Sequence, residues 1–202
     1  MDDEAYSLFT ITMDDIHHRK DHQSMNRYLS LGYVVLGYQF CWGIIAWGVL
    51  KGLTTVSLSV VLLYLLGYIR IALHKSQALK VMALVTGIGF LVDGILIHYN
   101  LISIQGDSFF PLWLVAIWAA FSTLLNSALH GLKGFPFLQF FLGGLGGLFA
   151  YLSAHSLGVL TFMDMHVAVL VITITWAILI PVLYRLLASL NIDKPQIKGD
   201  GQ

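Results

Sequence analysis

Residues 137–158, FLQFFLGGLGGLFAYLSAHSLG, run for about twenty residues without Asp, Glu, Lys or Arg, the length a helix needs to span ~30 Å of hydrocarbon. Five more apolar runs, near 31–50, 53–69, 79–97, 110–129 and 167–187, share this character. In lipid every backbone polar group must find its partner inside the protein, so helices are the economical solution for such runs. The reading is an all-α polytopic membrane protein, a bundle of six transmembrane helices over residues 31–187. Residues 1–30 form a polar tail before it, and residues 188–202 a tail predicted to be disordered. Only 11% of the 202 residues are charged, against about 25% in soluble domains.

Within the fifth run, Gly143, Gly147, Ala150 and Ala154 fall on one helical stripe without bulk. Small residues let neighbouring backbones approach closely, which drives association where lipid is already apolar. This helix is therefore predicted to be the central one. Lys51-Gly52 reads as a tight turn between the first two spans, and Pro181 as a kink in the sixth, because proline removes an internal hydrogen bond. With the N-terminus inside, ten of the 11 Lys and Arg residues fall on the inner side and only Lys51 outside. That bias predicts both termini to be cytoplasmic, in a bacterial inner membrane. Trp47 and Trp113 lie at depths that suit an interfacial aromatic belt.

Net charge is zero and no basic block occurs, so no nucleic-acid partner is expected. The single cysteine, Cys41, excludes an intramolecular disulfide and a multi-cysteine metal site. The polar opening residues fit no cleavable signal peptide, and the first apolar run reads as a retained anchor. The cluster HHRKDHQ, with His17, His18 and His22, reads as a solvated juxtamembrane tail rather than a metal site. No phosphate loop, nucleophile elbow or dinucleotide fingerprint is present.

The polar residues inside the spans carry whatever chemistry there is. Asp93 lies in the third run with no Lys or Arg at its depth, and an acid there costs up to ~3 kcal/mol on insertion scales. It should face the bundle interior, on a stripe with Thr86, Gly89 and Asn100, and be protonated or paired with His98, His155 or Gln39. Gln39 lies mid-way along the first run and Asn126 towards the inner end of the fourth. If Asp93, Gln39 and Asn126 face one interior, they form a polar track suited to proton-linked transport of a small solute. His98, His155 and His166 all fall near the outer face, and would make a metal-dependent intramembrane enzyme with Asp93 if they converged. Their spacing carries no metal-ligand pattern, and neither metal, haem nor any other cofactor is predicted.

The segments FPLWLVAIWAAFSTLLNSALHGL and GGLGGLFAYLSAHSLGVLTF, beginning at Phe110 and Gly143, carry a recurring pattern. Pro-x-Trp-Leu at Pro111 opens it, followed by Trp118, Phe121, Thr123-Leu124 and Ser127, then Gly146-Gly147 and Tyr151. This resembles a family of small bacterial inner-membrane proteins catalogued only as a domain of unknown function, in which an Asp in the third span, here Asp93, also fits. Phe149 or its neighbour stands where that pattern has Pro, and Ile117 replaces a Leu. Family members tend to be encoded beside enzymes resembling cyclopropane-fatty-acid synthases and flavin-dependent amine oxidases. The resemblance implies, by association, a binding or scaffold protein in membrane-lipid handling, with membrane lipids and a lipid-modifying enzyme as partners.

Overall fold

The structure is a computed structural model that describes residues 28–104 and 111–192. The histidine cluster of the N-terminal tail and the C-terminal tail beyond residue 192 lie outside the described residues. Among the described residues six α-helices follow in order: α1 Tyr28–Lys51, α2 Thr54–Ile71, α3 Lys75–His98, α4 Leu112–Asn126, α5 Pro136–Ser156 and α6 Met165–Ser189. Five of them are long and apolar enough to cross a membrane, and α4 is not. At 15 residues, α4 reaches only about 22 Å at 1.5 Å per residue. The fold is a helical bundle built as a multi-pass membrane protein.

The turn at Gly52 is as expected: φ is +69° there, and Leu53 N–H donates to the Gly48 carbonyl at 2.7 Å. It folds α2 back along α1. Ser57 Oγ donates to the Ile44 carbonyl at 2.8 Å, and Tyr33 and Tyr64 stack at 5.3 Å near the other end of the pair. The buried residues of α2, Ser57, Val61, Tyr64 and Tyr68, recur at the spacing of one helix face. That face meets α4: Tyr64 Oη lies 2.6 Å from Thr123 Oγ1, and Tyr68 Oη 3.2 Å from Ser127 Oγ.

The short helix α4, not α5, occupies the middle of the bundle. Ten of the 15 residues of α4 are buried, against five of 21 in α5. The glycine stripe explains the difference. It gives α5 one intimate neighbour, α6, where Gly143, Gly144 and Gly147 abut Ile180, Ala177 and Trp176. Elsewhere on α5, Phe137, Phe140, Phe141 and Phe149 are all exposed, as suits a helix with only one close neighbour. A helix that is apolar all round is a core helix, and α4 fits that description.

Because α4 ends early, the chain runs on through a 3-10 turn at Ala128–Leu132 whose carbonyls need partners. Irregular backbone at membrane depth is tolerated only where protein satisfies it. Tyr184 Oη donates to the Leu129 carbonyl at 2.6 Å, and Gln139 Nε2 to the Leu132 carbonyl at 2.8 Å. At the opposite end two short strands pair antiparallel: β1 Ile102–Ile104 after α3 and β2 Leu160–Phe162 after α5, with Ser103 opposite Thr161. This ladder is an addition to the all-α expectation. Beyond it Asp164 caps α6, accepting from His166 N–H at 2.9 Å and Val167 N–H at 3.1 Å. Helix α6 then continues through Pro181 to Ser189.

Candidate functional site

The site begins with a glycine one turn below an acid. On α3, Gly89 and Asp93 share a face, and a Cβ at Gly89 would fall within the indole ring of Trp118 on α4. Only a glycine lets that ring lie against the α3 backbone. From this seat Trp118 Nε1–H donates to Asp93 Oδ2 at 2.6 Å. The same device recurs on α5. Gly147 lies one turn below Tyr151, and a Cβ there would meet the Trp176 ring of α6. Tyr151 Oη donates to Asp93 Oδ1. Two glycines thus seat two tryptophans, which stack on one another at 5.1 Å and 13°, and Phe121 places its ring edge-on to both.

Asp93 is 2% exposed and borders a cavity of about 70 Å³. Tyr38 and Trp42 of α1, Trp113 and Trp118 of α4 and Trp176 of α6 supply most of its aromatic wall, and Ile102, Ile104 and Leu160 of the ladder line it too. Among the described residues no Lys, Arg or His lines it. A second space, of about 480 Å³, adjoins this one and shares Tyr38, Trp42, Phe121, Ala150 and Trp176 with it. It is a groove between α1 and α5, floored by Gly143, Gly146 and Gly147 and walled by Leu132, Leu142 and Phe149. Gln39 and Ser153 are the polar side chains on its apolar lining. Trp176 Nε1–H, beside the Tyr151 hydroxyl, makes no hydrogen bond of ordinary geometry.

The predicted polar residues disperse among these spaces. Asp93 is inward-facing, but its partners are Trp118 and Tyr151 in place of His98, His155 or Gln39. Gln39 is exposed on α1 and borders the groove. Asn126 lines neither space; its Nδ2 donates to Tyr68 Oη at 3.4 Å in the packed contact of α2 with α4. The track from Asp93 through Gln39 to Asn126 is therefore not one continuous cavity in either space.

The histidines likewise keep apart. His155 Nδ1 lies 3.3 Å from the Leu160 carbonyl and its ring stacks on Phe162, so it fastens β2 to α5. His98 is exposed and sets its ring edge-on to Tyr99, and His166 is exposed in the first turn of α6. Among the described residues no group of three or more His, Cys, Asp or Glu side chains is placed to hold a metal. Of the small-residue stripe, Gly143 and Gly147 pack against α6, while Ala150 and Ala154 line the Asp93 cavity. Trp113, expected in an interfacial belt, is instead buried in the cavity wall, whereas Trp47 is exposed.

Trp118 and Tyr151 do not stand out in the sequence as chemistry, because aromatics at helical spacing in membrane helices mostly pack. The signal that would have found them was the recurring pattern itself. Its Trp118 and Tyr151, with the Asp of the third span, are the three side chains that meet at the site. Its Thr123 and Ser127 carry the hydroxyls that meet Tyr64 and Tyr68 of α2. A family model described as "Protein of unknown function (DUF2878)" matches residues 32–182. No curated protein and no solved structure matches the chain.

Proposed function

The chain belongs to that family, whose description assigns no activity, and from this premise we propose that the protein binds a lipid chain in the groove between α1 and α5 and serves a lipid-modifying partner. The observation that carries the reading is the groove itself. Its volume of about 480 Å³ falls within the ~300–1,000 Å³ typical of small-molecule sites. Its lining is apolar apart from Gln39 and Ser153, and its glycine floor lies mid-way along a helix that carries four exposed phenylalanines. Such a surface suits a hydrocarbon chain, with the Gln39 amide available to a polar linkage on that chain. Exposed Arg70, Lys75, Lys133 and Arg185 gather near the ends of α2, α4 and α6, which supports an orientation with that end at the cytoplasmic face of a bacterial inner membrane.

Gly146 gives the test. It borders the groove, yet a Cβ there meets nothing within 4 Å, so the side chain of Gly146→Leu starts into open space at the groove. Gly143 and Gly147 offer no such test, since a side chain at either would collide with α6. Native mass spectrometry of protein purified in mild detergent should find bound lipid in the wild type. The Gly146→Leu protein, equally folded, should lose it. Equal lipid in both refutes the reading.

A further inference from the structure

The groove leaves the acid unexplained. Asp93 is buried, has no Lys, Arg or His beside it among the described residues, and borders the cavity of about 70 Å³. That is several times the ~10–15 Å³ one water requires, so it has room for a molecule of a few heavy atoms. Trp118 and Tyr151 each donate one hydrogen bond to the carboxyl. Each oxygen therefore keeps lone-pair capacity for a further donor.

We propose that this cavity is a binding site for a small organic cation of the ammonium class. Four of the chain's five tryptophans line it, together with Tyr38, Phe121 and Tyr151. Aromatic rings attract cations through their quadrupole, most strongly where water is excluded, and cages of such rings recognise alkylated ammonium groups. The acid supplies the countercharge. The chemistry of the lining excludes the other classes. An anion would meet the carboxyl, and a hard divalent ion needs several oxygen ligands where the described residues offer one side-chain carboxyl. A neutral apolar guest would leave the remaining lone pairs of the acid unused and supply no countercharge. Trp176 Nε1–H, lacking a well-formed hydrogen bond, adds a donor for an oxygen on the same guest, as an amino alcohol carries.

The probe is choline, set against 3,3-dimethylbutan-1-ol, in which carbon replaces the charged nitrogen at equal shape. Because four of five tryptophans line the cavity, intrinsic fluorescence of the full-length protein in detergent reads its occupancy. Choline should change the emission saturably, and the neutral alcohol should bind at least about tenfold more weakly. Asp93→Asn keeps both contacts, since its amide oxygen accepts from Trp118 and its NH₂ donates to Tyr151. It should fold and lose choline affinity by a similar factor. Trp113→Leu, which leaves Asp93 and its donors intact, should weaken choline and spare the alcohol. Gly146→Leu, which fills only the groove, should bind choline as the wild type does, separating this site from the lipid reading. Equal binding of the two probes, choline binding unaltered by Asp93→Asn, or no saturable choline signal overturns the proposal.

Discussion

Substituting Gly89 with Ala tests whether the α3–α4 contact holds the site together. The added methyl would lie within the Trp118 ring. Trp118 cannot retreat, because Trp176 is stacked behind it at 5.1 Å and Phe121 stands edge-on at 5.7 Å. The ring must swing aside or the helices must part, and either motion breaks the 2.6 Å bond from Nε1 to Asp93. Overpacking of this kind costs about 1–3 kcal/mol. Losing a hydrogen bond to a buried carboxyl costs about 1.5–3 kcal/mol more. Together these give about 2.5–6 kcal/mol, a large share of the ~5–15 kcal/mol that keeps a typical protein folded. Gly87, two residues away on the same helix, is the control, because a Cβ there meets nothing within 4 Å. Gly87→Ala should be neutral or stabilising by about 0.5–1 kcal/mol. The assay is reversible unfolding in mixed micelles followed by tryptophan emission. If Gly89→Ala and Gly87→Ala unfold alike, the close seating of Trp118 on α3 is wrong, and the site's geometry with it.

Two further outcomes are expected. Tyr151→Phe removes one of the two donors to Asp93 and should lower unfolding stability by about 1–3 kcal/mol in the same assay; an unchanged curve would mean that the Tyr151 hydroxyl does not bond the acid. Reporter fusions after Ile71 and after Leu132 should be active on the cytoplasmic side, and a fusion at Gly52 on the far side; the reverse pattern would refute the orientation proposed from Arg70, Lys75, Lys133 and Arg185.

Apolar runs of span length located five long helices, because backbone satisfaction in lipid leaves so few alternatives. The fourth run is less regular than that rule implies. Residues 110–129 read as one span by hydropathy, whereas the α-helix covers Leu112–Asn126 and a 3-10 turn carries the chain on to Leu132, because hydropathy does not record where α-helical backbone ends. The glycine stripe of α5 was legible as a packing surface, but a stripe does not say how many neighbours a helix has. Asp93 was legible as inward-facing from its cost in lipid. Its partners were not, because the donors that found it belong to residues whose usual work is to fill space. Charge alone points to the histidines, whereas the partners are an indole and a phenol. The pairing of residues 102–104 with 160–162 joins short connections with no alternating pattern long enough to read.

Trp176, Phe121, Tyr38, Trp42 and Ala150 belong to the walls of both the acid cavity and the groove. Rings common to both walls give each space a say in the other only where a guest moves them. While Trp176 keeps its stack on Trp118, the two spaces fill independently, and one set of aromatic rings serves an oily chain on one side and a small ion on the other.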